Sequence, residues 1–266
     1  MLHRRLFCAL LGLAFATAAA PSLAQDRGAA QLASRDHPLP AAPLETDFNI
    51  ITAVDVSDSI TRHDEWLQYS GLARGVVDPR FLARVAEGLE QRVGFLAFTW
   101  SSGGDIHVIV PWTVIESRAD GERVAAQFEA APRIDRTGYG MYKPSILDQG
   151  ERGMTDIAEA VEAALGIAVE APYPARRSVI NVLSNGVDNN GQDPRGVRDR
   201  AIRMGITING VVFGSRQDLP DYFRRNIVGG PGAFLMTVRD PGDLPTALEK
   251  KFWQDMIAAL ATPPAG

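Results

Sequence analysis

The sequence predicts an α/β protein with a doubly wound, mostly parallel central sheet of about six strands, one antiparallel edge strand and helices on both faces. From residue 47 onward, six apolar runs alternate with segments of helical periodicity, an order typical of parallel sheets with right-handed crossovers. Most of these runs are continuously apolar, as in strands that are buried on both faces. A turn-like link between the second and third runs adds the antiparallel edge.

The six apolar runs are the predicted strands. They occupy residues 48–56, 93–100, 106–112, 178–183, 206–213 and 233–238. Only Ser101-Ser102-Gly103-Gly104-Asp105 separates the second run from the third. This link is too short for a crossover helix, so we expect a hairpin whose outer strand runs antiparallel at the edge of the sheet.

Helical segments fill the intervals between the runs. The clearest is 155–169, where apolar residues recur every four positions, as on the buried stripe of an amphipathic helix. The other predicted helices occupy about residues 62–74, 79–88, 115–130, 195–204, 219–227 and 243–260.

The first 24 residues have the pattern of a secretory signal peptide. Arg4 and Arg5 precede an apolar run at 6–20, and small residues follow that run. We therefore expect a periplasmic or secreted protein, exported by the general secretory route or the twin-arginine route. No later run reaches the roughly 18 consecutive apolar residues that a membrane-spanning helix requires.

The remainder divides into a leader and one domain. Residues 25–46 are rich in Ala, Pro, Asp and Arg and have no periodicity, which predicts a disordered leader. No second linker or internal repeat follows. A single domain is therefore expected over residues 47–262.

Charge and cysteine content narrow the possible functions. The chain has 27 Lys and Arg residues against 32 Asp and Glu residues, a net charge of −5, which argues against nucleic acid as a partner. The single cysteine, Cys8, lies in the predicted signal peptide. We therefore expect neither a disulfide nor a cysteine-based zinc site in the domain.

Polar residues follow the apolar runs at the edge of the sheet where doubly wound folds bind ligands. After the first run, Asp55, Ser57 and Ser59 put a carboxylate and two hydroxyls on alternating residues, a set of hard oxygen ligands for a small divalent cation. The alternative is that they are turn and cap residues that lead into a helix. Thr155 precedes the clearest helix and Asn185 follows the fourth run, so three loops are expected to converge there.

At these residues the sequence resembles the von Willebrand factor type A (vWA) family, over about residues 47–260. The resemblance implies a metal-ion-dependent adhesion site (MIDAS) formed by a first, a second and a third loop. The matching residues are Asp55, Ser57 and Ser59 in the first loop, Thr155 in the second and Asn185 in the third. It also implies a Mg²⁺ ion held by the three hydroxyls, with an open position for an acidic residue of a protein partner.

The predicted signal peptide, residues 98–101 and the loop after residue 184 further resemble an exported bacterial branch of the vWA family whose function is not established. The third loop departs from the family pattern, because Asn185 stands where the family usually has Asp. The site thereby loses one negative charge, and weaker metal affinity should follow. Asp156 and Asp188 are candidates to compensate for the lost charge. Mn²⁺ and Ca²⁺ are alternative ions, and a metal-free interaction scaffold with a degenerate site is the alternative function.

A long segment, 132–152, precedes Thr155. We expect Tyr139 and Tyr142 in this segment to form part of a partner-binding rim together with Trp100 and Asp188, with plain loop packing as the alternative. The predicted function is an exported module that recognises a protein partner through a metal at the carboxyl ends of the strands.

Motifs of the common enzyme classes are missing from the sequence. It has no Gly-x-Ser-x-Gly elbow, phosphate loop or dinucleotide fingerprint. The histidines His37, His63 and His107 lack the spacing of zinc ligands. We therefore expect no enzyme; the enzyme alternative is a metal-assisted hydrolase with Asp55 and Asp188 as paired carboxylates.

Overall fold

The computed structural model describes residues 43–133 and 153–260. The predicted signal peptide over 1–24 and nearly all of the predicted leader lie outside the described residues, as do Tyr139 and Tyr142. Across 43–133 and 153–260, each helix is too short or too polar to span a lipid bilayer.

Six strands of the described chain form one sheet in the order β3-β2-β1-β4-β5-β6. Their bounds are β1 Thr46–Asp55, β2 Val93–Trp100, β3 Ile106–Ile115, β4 Ala175–Ser184, β5 Thr207–Phe213 and β6 Leu235–Val238. β3 pairs with β2 antiparallel, and the other four pairings are parallel. The predicted mostly parallel sheet with one antiparallel edge strand is confirmed.

Eight α-helices lie within the described residues. They are α1 Arg62–Val76, α2 Pro79–Ala86, α3 Arg118–Ala130, α4 Ile157–Val169, α5 Arg195–Arg203, α6 Leu219–Asn226, α7 Leu244–Glu249 and α8 Lys251–Leu260. α3 begins three residues later than predicted, because β3 continues to Ile115 and the Ser117–Asp120 capping box then starts the helix.

The single helix predicted over 243–260 is wrong. A 3-10 turn at Pro241–Asp243 leads into α7, and α8 follows after Lys250. The backbone N–H of Lys250 donates to the carbonyl of Ala247, 3.2 Å away, a tighter turn than an α-helix makes. This tight turn separates α7 from α8.

Each face of the sheet carries its own apolar core, because successive residues of a strand point to opposite faces. On β1, Ile50 packs with side chains of α1, α2, α3, α7 and α8, whereas Ile51 packs with side chains of α4, α5 and α6. The helices therefore cover both faces, as the sequence predicts.

Candidate metal centre at the carboxyl edge of the sheet

The candidate site lies at the centre of the sheet, where β1 and β4 end side by side. The chain leaves β1 toward the face that α1 covers and leaves β4 toward the face that α5 covers. In doubly wound proteins such a change of direction opens a crevice that binds ligands. The loops after β1 and β4 and the segment before α4 meet at this point.

Asp55, the last residue of β1, is fully buried. Its Oδ1 accepts a hydrogen bond from the backbone N–H of Ser57 (2.8 Å) and its Oδ2 accepts one from the Ser184 hydroxyl (2.6 Å). Burial raises the pKa of Asp55 above its ordinary value, although the hydrogen bonds from Ser184 and Ser57 act to lower it.

The partners of Asp55 are neutral groups. No ion pair of the described residues includes this carboxylate. A buried carboxylate without a cationic partner is energetically costly, because the protein interior solvates charge poorly. The surroundings of Asp55 thus favour a cation at this edge of the sheet.

The three predicted hydroxyl ligands lie together beside Asp55. The Ser57 Oγ is 3.3 Å from the Ser59 Oγ and 3.2 Å from the Thr155 Oγ1. Asn185 joins them: the Ser59 hydroxyl donates to the Asn185 Oδ1 (2.7 Å), and the Asn185 Nδ2 donates to the Ser59 carbonyl (3.1 Å). The structure therefore brings all five predicted metal residues to one place.

Close backbone contacts hold Thr155 in position. Its N–H donates to the Asn189 Oδ1 (2.7 Å) and its carbonyl accepts from the Asn189 N–H (3.0 Å). A Cβ on Gly186 would lie 3.2 Å from the Thr155 Oγ1. The third loop therefore packs closely on the second loop, and a side chain in place of Gly186 would have to displace the Thr155 hydroxyl by a few tenths of an ångström.

A second glycine connects the first and second loops. Gly153 has a φ of +85°, and a Cβ at this position would come within 2.4 Å of the Asp58 carboxylate. The Gly153 carbonyl accepts a hydrogen bond from the backbone N–H of Asp58 (2.8 Å). Both the positive φ and this close approach favour glycine.

Asp156 and Asp188 lie at the start of α4. Asp156 caps the helix by accepting from the Glu159 N–H (2.8 Å), and its other oxygen accepts from the Asn190 Nδ2 (2.6 Å). Asp188 accepts from the Ala158 N–H (3.1 Å). Burial and the neighbouring charge of Asp156 raise the pKa of Asp188. The two carboxylates thus fix the third loop to α4 around Thr155.

The prediction of Trp100 as a rim residue is wrong. Trp100 is fully buried and belongs to the apolar core beneath α4. It follows Leu96 and Phe98 on the same face of β2, since alternate residues of a strand share a face. Its position at a strand end therefore does not expose it.

Sequence reasoning missed Ser184 and Asn189. Ser184 ends β4 and donates to Asp55, whereas Asn189 positions Thr155. Ser184 could have been found from the sequence, because it is a polar residue at the end of a buried strand. Nothing in the sequence pattern distinguishes Asn189 from the neighbouring Asn190.

The donor set fits a hard divalent cation. It offers hydroxyl, amide and carboxylate oxygens, which suit Mg²⁺, Mn²⁺ or Ca²⁺, and it contains no sulfur or imidazole. Within 43–133 and 153–260, no group of three or more His, Cys, Asp or Glu residues forms an alternative metal cluster. The candidate centre is therefore a hydroxyl-rich site with one buried carboxylate.

Comparison with known proteins gives both a family and a fold. The sequence model of the family described as "Protein of unknown function (DUF1194)" matches residues 45–260. No curated protein matches the chain. Among solved structures, the matches include adhesion and matrix proteins with the vWA fold.

Two of these proteins illustrate the likeness. Proximal thread matrix protein 1 from the mussel byssus is 14% identical, with a TM-score of 0.55, covering 81% of this chain and 48% of that one. A second structure of it, with a zinc-occupied MIDAS motif, is 16% identical, with a TM-score of 0.51, covering 80% and 47%. The pilus adhesin SpaC from Lactobacillus rhamnosus GG is 12% identical, with a TM-score of 0.50, covering 80% and 31%.

This chain spans about half the length of the mussel protein and less of the adhesin. At these identities the likeness shows the fold alone. The chain has the vWA fold.

Proposed function

Since the chain belongs to the DUF1194 family and has the vWA fold, we propose that it is a protein-binding module that recognises an acidic residue of its partner through a divalent cation. The cation is held at the carboxyl edge of the sheet, between the loops that follow β1 and β4. The proposal covers residues 47–262, the predicted domain, and places it in the periplasm or outside the cell.

The observation that carries the proposal is the arrangement around Asp55. A fully buried carboxylate with neutral partners lies beside three hydroxyls from two separate loops. A cation at this point offsets the buried negative charge, which the hydrogen bonds alone only partly stabilise. The zinc-occupied MIDAS motif of the mussel protein is a precedent for a metal on this fold.

Each residue has a defined part in the proposed site. The hydroxyls of Ser57, Ser59 and Thr155 would hold the ion, and Asp55 would supply negative charge to balance it. Asn185 contributes an amide oxygen in place of a carboxylate. A bound Mg²⁺ would supply a Lewis acid with a position open to a partner's carboxylate.

Asn185 also favours a second candidate function, a metal-free interaction scaffold. Its amide makes two hydrogen bonds to Ser59, of 2.7 and 3.1 Å, which close the loops on each other without an ion. In this alternative the carboxyl edge of the sheet is a stable surface that binds its partner by shape and hydrogen bonds alone.

Selection from a displayed random peptide library in the presence of Mg²⁺ tests the proposal. Each selected peptide is then measured again with EDTA, and again with its Asp and Glu residues replaced by Asn and Gln. We expect both changes to abolish binding. Peptides that bind equally well under all three conditions would instead support the metal-free scaffold.

The same experiment includes two variants of the protein. Ser57→Ala removes a proposed ligand, and Glu129→Gln removes an exposed charge from α3, away from the site. Mg²⁺-dependent binding should be lost in the first variant and kept in the second. Equal binding by both variants would count against the proposed site.

A further inference from the structure

A buried polar cluster lies on the α8 side of the sheet, separate from the candidate metal centre. It consists of Asn181 on β4, Asn209 on β5, and Lys251 and Asp255 on α8, all at most 1% exposed. Asn181 and Asn209 are direct neighbours across the two strands. Lys251 and Asp255 are one helical turn apart. Four polar or charged side chains of types that are usually exposed to solvent thus meet in an apolar core.

Three of these side chains form a closed triangle. The Lys251 Nζ donates to the Asn181 Oδ1 (2.6 Å) and also to the Asp255 Oδ1. The Asn181 Nδ2 donates to the Asp255 Oδ2 (2.8 Å). The carboxylate therefore contacts the amine with one oxygen and the amide nitrogen with the other.

Asn209 has a different part in the cluster. Its Nδ2 donates to the Asp255 Oδ1 (2.9 Å), and its Oδ1 accepts from the backbone N–H of Phe234 (2.9 Å). The side-chain oxygen of Asn209 thus accepts from the backbone, whereas the side-chain oxygen of Asn181 accepts from Lys251. Asn209 orients the carboxylate, and Asn181 is the amide that the amine reaches.

The surroundings favour a neutral, nucleophilic amine. Burial lowers the pKa of Lys251 and raises the pKa of Asp255, although the attraction between the two opposes both shifts. The ring of Phe234 lies 4.6 Å from the Lys251 Nζ and shields it. Transfer of the ammonium proton to the carboxylate leaves a lone pair on the amine, as nucleophilic lysines require.

We propose that Lys251 and Asn181 react within the folded chain to form an intramolecular isopeptide bond, with Asp255 as the proton carrier. The bond between the Lys251 Nζ and the Asn181 Cγ forms, and the bond between the Asn181 Cγ and Nδ2 breaks. Asp255 first takes the ammonium proton from Nζ and keeps it. As the new bond forms, its carboxyl group relays a second proton from Nζ to Nδ2, which leaves as ammonia. No atom is oxidised or reduced, and no co-reactant is needed.

The arrangement supplies what this reaction requires. The nucleophile, the carbonyl and the proton carrier already lie at hydrogen-bonding distance, so little further ordering is needed. Burial excludes the water that would compete with the amine for the carbonyl carbon. The product links β4 to α8 covalently across residues 181–251.

Such a link has a clear structural value in this chain. The sequence has a single cysteine, so the chain cannot form an internal disulfide. A covalent bridge between residues 181 and 251 closes a long loop and restricts the unfolded state, as a disulfide would. It also fixes the C-terminal helix to the strand that ends at Ser184.

Mass spectrometry of the purified full chain tests the proposal. In the wild-type protein, a tryptic digest should contain a branched peptide in which Asn181 is joined to Lys251, lighter than the sum of its parts by one ammonia. Lys251→Met and Asp255→Ala should lack this species. Lys250→Met, which removes the exposed neighbouring lysine, should retain it.

Asn181→Asp adds a chemical check, because the same link would then form with loss of one water instead of one ammonia. The wild-type digest alone decides the proposal if a variant fails to fold. Recovery of the unlinked Asn181 and Lys251 peptides at full mass from folded wild-type protein would overturn it. A link from Lys251 to Asn209, or an unchanged link in Asp255→Ala, would contradict the assigned roles.

Discussion

At the scale of single residues, Asp55 is the group on which the metal proposal depends most. It is buried completely, and the Ser57 N–H and the Ser184 hydroxyl donate hydrogen bonds to its carboxylate. These donors compensate for part of the lost hydration, but they add no positive charge. The residue is therefore suited to binding a cation at some cost to the stability of the metal-free fold.

This cost gives a testable prediction. In EDTA, Asp55→Asn should raise the free energy of unfolding by about 1 kcal/mol, because a neutral amide replaces a buried charge at the same size. Chemical denaturation measures the difference, with Glu129→Gln as the exposed control that should leave stability unchanged. A marked loss of stability in Asp55→Asn without metal would show that the charge is already compensated in the fold.

The site residues differ in how well the sequence predicts them. Asp55, Ser57 and Ser59 alternate at a strand end, so both their position and their donor chemistry can be inferred locally. Ser184 lies 129 residues after Asp55 in the sequence, and the two meet only because β1 pairs with β4. The position of Trp100 at a strand end does not show that it is exposed, because Trp100 shares the buried face of β2 with Phe98.

At the scale of elements, the packing of α1 on α7 depends on glycine. A Cβ on Gly71 would lie 2.8 Å from the Pro245 Cα, and a Cβ on Gly75 would lie 2.8 Å from the Leu248 carbonyl oxygen. Side chains at these positions would push α7 away from α1. This contact could not be predicted from the sequence. The sequence predicts one continuous helix over 243–260, whereas the contact is made by a separate short helix, α7.

Gly71→Val should therefore destabilise the protein by about 2 kcal/mol, through overpacking against backbone that cannot move freely. The matched control is Gly166→Ala on α4, where an added Cβ meets nothing within 4 Å. Because alanine is the better helix former, that variant should be neutral or more stable by about 0.5 kcal/mol. Thermal unfolding compares the two, and equal melting temperatures would refute the close packing.

The cap at the start of α2 should contribute a pH-dependent part of the stability of the fold. Asp78 caps this helix, accepting from the backbone N–H groups of Arg80 (2.8 Å) and Phe81 (3.3 Å), and it pairs with the Arg80 guanidinium at 2.6 Å. Burial acts to raise the pKa of Asp78, but these bonds outweigh it and hold the pKa below the ordinary value of 3.8. The folded state therefore favours the charged carboxylate.

At pH 7, Asp78→Ala should reduce the free energy of unfolding by about 1 kcal/mol, the usual effect of losing such a cap. The stabilisation by Asp78 is fully present above pH 3.8 and is lost as the pH falls through its lowered folded value. Denaturation of both proteins at a series of pH values should show the deficit shrinking in acid. A deficit that stays constant down to pH 2 would exclude the carboxylate's charge as its source.

At the scale of the whole molecule, the sheet could be predicted because short, continuous stretches of the sequence define its strands. Continuous apolar runs define buried strands, and the helices between them set the parallel pairing and its handedness. The buried cluster of Lys251, Asp255, Asn181 and Asn209 could not be predicted in this way. Its members come from three separate elements, and each is of a residue type that usually faces solvent.

Metal binding at the carboxyl edge of the sheet should affect the stability of the whole fold. The three loops at this edge lead to α1 on one face of the sheet and to α4 and α5 on the other. An ion bound by these loops would therefore link both faces. A cation that binds only the folded state stabilises the whole molecule by mass action, by about 2.7 kcal/mol at one hundred times its Kd. Metal binding should therefore be visible in global unfolding as well as in direct titration.

Calorimetric titration of Mg²⁺ into the protein without its predicted signal peptide measures whether the carboxyl edge of the sheet binds a metal ion. We predict saturable binding by the wild-type protein, no binding by Asp55→Asn, and binding on the order of tenfold tighter by Asn185→Asp, because a carboxylate is restored to the site. Absence of binding by the wild-type protein, or equal binding by Asp55→Asn, would contradict the claim that this edge of the sheet is a metal centre.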